Sequence, residues 1–155
     1  MVKHTKIDES IAIPPNVTIK IDENKQISVK GKLGSITKDF SHARTVQFTI
    51  TDNHVKLHAD FPRNKDIALV ITLKTLINNM FLGVQFGYEY RMKIAYAHFP
   101  ITLEPPKKGS TEILIKNFIG ERAPRITYSI GDVTVKANKD EVIVSGVDKE
   151  SVGQT

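Results

Sequence analysis

The chain has 155 residues, of which 40% are hydrophobic and 25% charged, and it carries a formal charge of +5 with a pI near 9.4. That balance excludes a disordered polyelectrolyte and fits a folded domain of ordinary size or two small ones. With no Cys there is neither a disulfide framework nor a thiolate metal site, while the basic surplus points toward an anionic partner such as nucleic acid.

Trp is absent and aromatics are few, so the core must be built from Ile, Val and Leu, which favours strands. The opening MVKHTKIDES lacks the apolar centre of a secretory signal, and no apolar run approaches the roughly 20 residues that cross a bilayer. The expectation is a cytoplasmic protein with no membrane partner, whose residues 1–10 form a polar arm. IAIPPNVTIKI alternates through Val17, Ile19 and Ile21 as a strand entered from Pro14 and Pro15. A turn over 22–24 leads into a second strand at 26–30, closed by the loop of Gly31 and Gly34. TVQFTIT and VKLHA predict a second hairpin turning at Asp52 and Asn53. From Lys65 the period changes to three and four, through Leu69, Val70, Leu73, Leu76, Ile77, Met80 and Phe81. This predicts a helix capped by Asn64, with Asp66 in its first turn and Gly83 at its C-terminal stop.

An internal echo organises the whole chain. Residues 27–34, ISVKGKLG, match 113–120, ILIKNFIG, as I-x-[VI]-K-x-x-[LI]-G at an offset of 86. VKLH at 55–58 recurs as VIVS at 142–145, and Pro14 recurs as Pro100. Three matches in order at nearly one offset argue for duplication of a strand-rich unit. The predicted fold is therefore α+β: two duplicated small domains, each a mostly antiparallel sheet with a helix packed on one face, spanning 11–82 and 83–155. The second copy stops where its helix should begin, so the chain is read as a shortened form lacking that helix, with one sheet face left uncovered.

Basic charge gathers in the middle. From Arg91 to Arg125 there are seven Lys or Arg against three Glu, whereas beyond Arg125 three Lys face five acids. Two loop tips stand out. Pro105-Pro106-Lys107-Lys108-Gly109 holds two ammonium groups at a turn, and Asn117–Arg125 combines Gly120 with Arg122 and Arg125, whose forks suit bidentate phosphate contacts. Tyr88, Tyr90, Tyr96, Phe99 and Phe118 offer rings for base stacking, although alternation assigns most of them to the core. Enzyme constellations are missing: there is no G-x-S-x-G, no phosphate-loop motif and no H-E-x-x-H. His54 and His58 share a strand face but lack a third metal ligand. Gly83 and Gly87 follow a helix rather than a strand, against a dinucleotide loop. No enzyme activity, cofactor, metal or small-molecule substrate is expected.

GVQFGYEYRMKIAYAHFPI, followed by EILIKNFIGERAPR, closely resembles the universal large-subunit ribosomal protein six family, called protein nine in eukaryotic naming. IPPNVTIKI, VKGKLG, DFSH and KDEVIVSGVDKESV extend the resemblance over nearly the whole chain. It implies two duplicated sheet-and-helix domains and a structural role in the large ribosomal subunit. It also implies binding of ribosomal RNA near the sarcin-ricin loop and the stalk base, beside other ribosomal proteins, with assembly in the nucleus if the source is eukaryotic. Carried over by motif, with the basic tip and strand-end positions added, the RNA-binding set is Arg91, Lys93, His98, Lys107, Lys108, Lys116, Asn117, Gly120, Arg122 and Arg125. Three departures stand against the family pattern: ITYSIGD after Arg125 is neutral to acidic, the loop near Asp52 is less basic, and the family's C-terminal helix and basic tail are absent. The competing readings are an RNA-binding module acting outside the ribosome and a strand-rich protein-interaction domain.

Overall fold

The computed structural model describes residues 5–51, 53–96, 98–107 and 110–155. The loop position Asp52 and the tip residue Lys108 therefore lie outside the described residues. The chain divides into two compact units at Phe86 and Gly87.

In the first unit, β1 (Lys6–Ala12), β5 (Gln47–Thr51) and β6 (His54–Asp60) form one antiparallel sheet in the order β1-β6-β5. β2 (Thr18–Ile21), β3 (Gln26–Lys30) and β4 (Ser35–Asp39) form another in chain order. Both predicted hairpins are present, and each gains a third strand. Helix α1 (Asn64–Phe86) packs on β1 and β6 and reaches β3 and β4. Ile27, Val29, Val55, Leu57, Val70, Leu73 and Ile77 are sealed from solvent in the resulting core. The strand members of that set alternate along β3 and β6, and the helical members repeat at three and four, because each element turns one apolar side inward.

Two local expectations are corrected here. Residues 6–10 are no free arm: every residue of β1 pairs with β6, from Lys6 opposite Asp60 to Ala12 opposite His54. The strand was hidden because its inward side reads Ile7, Glu9, Ile11, with an acid where a nonpolar residue is the rule. Lys74 of α1 meets that acid at 2.8 Å, which makes an inward Glu tolerable. The helix does not stop at Gly83 either. Gly83 is buried inside α1, which runs on to Phe86, and Gly87 takes the left-handed conformation (φ 74°) that ends it. At the other end, Ile67 N–H donates to the carbonyl of Arg63, so the cap is Arg63 rather than Asn64. Asp66 reaches back to accept the Arg63 N–H at 2.9 Å and the Thr45 hydroxyl at 2.9 Å, bonds that hold its carboxyl below the usual range. Lys25 secures the connection between β4 and β5 by donating its ammonium to the carbonyls of Ala43 at 2.7 Å and Val46 at 2.9 Å.

On the outward face of the same sheet, His58 lies between two carboxylates. Its Nδ1 faces Asp8, and its Nε2 is 3.0 Å from Asp60. Only the doubly protonated ring donates to both. Hydrogen bonding to Asp8 and then Asp60 raises the His58 pKa, and hydrogen bonding to His58 lowers that of Asp8. A raised imidazole contributes stability below its unfolded value of about 6.5 and loses it as pH climbs through the folded value. The depressed Asp8 contributes above its unfolded value and loses this as pH falls through its lower folded one. Thermal unfolding followed from about pH 6 to about pH 9 should therefore show Tm declining in the native protein. The decline should be flatter in His58→Gln, and in both proteins it should weaken with added salt because the groups are exposed.

The second unit repeats the first. β7 (Tyr88–Lys93), β11 (Thr134–Ala137) and β12 (Glu141–Gly146) form a sheet in the order β11-β12-β7, the counterpart of β5-β6-β1. β8 (Thr102–Glu104), β9 (Glu112–Lys116) and β10 (Arg125–Tyr128) match β2, β3 and β4. The echo thus falls on equivalent strands, β3 on β9 and β6 on β12. The second helix, expected to be missing, is present in short form as α2 (Lys149–Gln154). Asp148 caps it by accepting the Ser151 N–H at 3.3 Å, and also takes the Ser151 hydroxyl at 2.8 Å, while Val152 is buried with Ile113, Val135, Val142 and Val144. It leaves Tyr90 and Met92 of β7 exposed, so the sheet face is covered in part.

Candidate nucleic-acid interface

Among the connections between strands, the two units differ most where β9 passes to β10. The β3–β4 connection is four residues, 31–34, whereas its counterpart is eight, 117–124, carrying the sequence NFIGERAP. Asn117 (φ 58°), Ile119 (φ 50°) and Gly120 (φ 78°) all lie in the left-handed region, so the loop turns tightly around the short 3₁₀ turn Phe118–Gly120. For Ile119 this backbone is costly, since its branched Cβ crowds the carbonyl, yet its side chain remains exposed. Asn117 donates its side-chain amide to the Pro100 carbonyl at 2.9 Å, tying the loop to the segment 98–100. A Cβ on Gly120 would stand 3.3 Å from the Phe99 ring, so glycine serves both the turn and the close approach of that ring. His98 leans on Phe99 with ring centroids 5.1 Å apart.

The two arginines of this loop are not equivalent. Arg125 opens β10 and gives its fork to Glu121, Nε to Oε2 at 2.9 Å and Nη2 to Oε1 at 2.7 Å. Its guanidinium also sits 4.2 Å over the Phe118 ring. This bond holds Glu121 below the usual carboxylate range and raises Arg125 further. Arg122 is exposed and has no ion pair or hydrogen bond among the described residues.

The remaining candidates are spread out. Lys107 is exposed at the opposite end of β9, where its carbonyl accepts the Ser110 N–H at 2.9 Å. Five residues of strand put that turn roughly 17 Å from Asn117. Lys116 pairs with Glu104 at 2.5 Å. Arg91 and Lys93 belong to the other sheet. Arg91 is bound by Glu89 at 2.6 Å and raised by Glu89 and then Glu141, and Lys93 stands opposite Glu141 in register. The structure thus gathers His98, Asn117, Gly120, Arg122 and Arg125 and leaves Arg91, Lys93 and Lys107 apart from them. The basic band is partly neutralised from within, leaving Lys93, Lys107 and Arg122 without an ion pair among the described residues.

The core assignment of the aromatics is corrected as well. Tyr90, Tyr96 and Phe99 are exposed, and Tyr88 and Phe118 are half-buried. Alternation failed because Tyr96 and Phe99 stand outside any strand and α2, although its Gly153 lies beside the Tyr90 ring, leaves that residue 40% exposed. Glu121 was absent from the candidate set, although its spacing of four from Arg125 was a visible signal. Among the described residues no group of three His, Asp or Glu is arranged to hold a metal ion.

Residues 13–87 match the family model described as Ribosomal protein L6. The chain is 42% identical over 155 residues to the large ribosomal subunit protein uL6 of Methanobrevibacter smithii, covering all of this chain and 84% of that relative. It is 40% identical to the uL6 of Desulfurococcus amylolyticus, again over its full length and 83% of the relative. The uL6 of Staphylothermus marinus is 43% identical over 156 residues, with the same coverage of 100% and 83%.

The chain belongs to the uL6 family of large-subunit ribosomal proteins. The family match falls mainly on the first unit, and the full-length relatives extend it through the second. uL6 is a ribosomal structural family and not an enzyme family, so ribosomal RNA and ribosomal proteins are its partners. In this uL6-family chain β10 exposes Ile126 and Tyr128 directly after Arg125, where the family pattern leads one to expect further cations.

Proposed function

We propose that the second unit braces ribosomal RNA near the sarcin-ricin loop and the stalk base, with the loop 117–125 as its main contact and Arg122 as the phosphate ligand. The observation that carries this is the unequal state of the two arginines: Glu121 occupies the fork of Arg125 and thereby shapes the loop, while Arg122 is exposed and has no ion pair among the described residues. The turn fixes the backbone that carries Arg122, and the planar fork is preorganised, so on meeting a phosphate only the side-chain stem has to be ordered. Phe99, against Gly120 of the same loop, and His98 beside it offer exposed rings of the kind on which unpaired bases stack. Lys107, at the far end of β9, serves as a second phosphate contact, and Arg91 and Lys93 add long-range attraction. The two units act as separate domains, the first carrying α1 and the second the RNA-facing loop.

Filter binding to a ribosomal RNA fragment that contains the sarcin-ricin loop tests the assignment. Arg122→Ala should weaken binding by roughly tenfold, the effect of one charge-assisted hydrogen bond. It should also lower the salt slope by about 1. Unchanged affinity and slope in a folded variant would overturn it. Co-sedimentation with large subunits through a high-salt cushion separates this reading from a module that acts outside the ribosome.

A further inference from the structure

Helix α1 leaves an unusual surface exposed. Between Ile67 and Phe86 its only charged residue is Lys74, which is drawn to Glu9 of β1. The outward side presents Ala68, Ile71, Thr72, Thr75, Asn78 and Leu82, all exposed and spaced as one helical face. Thr72 donates its hydroxyl to the Ala68 carbonyl at 2.9 Å, and Thr75 donates to that of Ile71 at 3.0 Å. Both donor protons are thus used inside the helix. A helix that faces only water carries Lys, Glu and Arg along this side, and here the only one is Lys65, one turn before Ala68 at the N-terminal end of the stripe.

We propose that this face docks an uncharged, apolar surface of a neighbouring protein of the large subunit. RNA is a poor occupant, because its backbone is held by several cations and from Ala68 to Leu82 the face has none, with Lys65 alone at its N-terminal end. A bilayer does not fit either. Contrary to the expectation from apolar runs, the helix is long and apolar enough to cross one by length and composition, but its other side, with Leu73 and Ile77 fully enclosed, fills the core of the first unit. A second copy is disfavoured by area. Ala68 to Leu82 spans about 21 Å, and at a helix width of about 10 Å the footprint is on the order of 200 Å². A stable pair needs about 800 Å² per partner. A small apolar contact is effective where other contacts already hold the chain in place, as in a ribosomal particle.

The test is a photo-crosslinker, benzoylphenylalanine, placed at Thr75 of the full chain, with irradiation of purified, salt-washed large subunits and mass spectrometry of the linked peptides. A link to a peptide of another ribosomal protein is expected, and it should disappear when Ile71→Lys is added to a chain that still enters subunits. A link to ribosomal RNA, to a second copy of this chain or to lipid would overturn the proposal, as would the absence of any link. A probe at Asn78 reads the same face if the Thr75 variant does not fold. Entry into subunits is scored separately by immunoblot, and failure there counts against the ribosomal role rather than against this face.

Discussion

Phe81→Ala should cost the first unit about 3–5 kcal/mol, the usual loss when a buried aromatic ring is removed and its cavity only partly collapses. Phe81 is 1% exposed and is among the largest fully buried side chains of the core, on the side of α1 that faces the sheets. A loss of that size is a large share of the 5–15 kcal/mol that holds a typical domain together. Urea unfolding followed by circular dichroism should show a lower midpoint for the first unit, which carries the long helix α1. Phe61 supplies the comparison. It is 81% exposed, so Phe61→Ala removes almost no burial and should stay within about 0.5 kcal/mol of the parent. Equal losses for the two variants would mean that α1 is not seated on the sheets as described.

Gly31→Ala should be the more surprising substitution, since alanine is ordinarily harmless and glycine is often replaced with gain. A Cβ at this position would stand 2.7 Å from Cγ2 of Val84, 2.8 Å from its Cβ and 2.8 Å from its carbonyl oxygen. Two of those atoms are fixed to the helix backbone, so α1 itself must move. The same corner carries the bond from Leu33 N–H to the Val84 carbonyl at 3.0 Å, which a shift of the helix would break. A destabilisation of about 1–3 kcal/mol follows from overpacking, measurable as a fall in Tm. A variant as stable as the parent would show that the helix end is free to slide. At the equivalent position of the second unit the chain has Asn117, whose amide instead reaches the Pro100 carbonyl. The I-x-[VI]-K-x-x-[LI]-G echo therefore preserves a strand, while its fourth-to-fifth step, Lys-Gly against Lys-Asn, opens connections of different length that pack against different neighbours.

Much of the fold was legible because its signals are local. The stripe of Val70, Leu73, Ile77 and Phe81 could only be helical, and Ile27 with Val29 could only be a half-buried strand. What was missed shares one cause. β4 has a single buried apolar residue, Ile36, and β1 turns Glu9 inward. Neither carries enough pattern to declare itself without the neighbouring strand that pairs with it. The loop 117–125 was found from its glycine and arginines, yet the division of labour between Arg122 and Arg125 depends on which carboxylate lies within reach, and Glu121 was not among the candidates.

By itself the sequence determined the duplication, the α+β class, the long helix and the uL6 kinship, because periodicity, repeat spacing and motif are properties of neighbouring residues and survive without coordinates. Only the tertiary structure decided that residues 6–12 close a sheet, that Arg125 is held by Glu121 while Arg122 is not, and that α1 presents an uncharged face from Ala68 to Leu82. The physical reason is that pairing and exposure depend on residues far apart in the chain, and a charge, a ring or an edge strand acquires its role from what folding brings beside it.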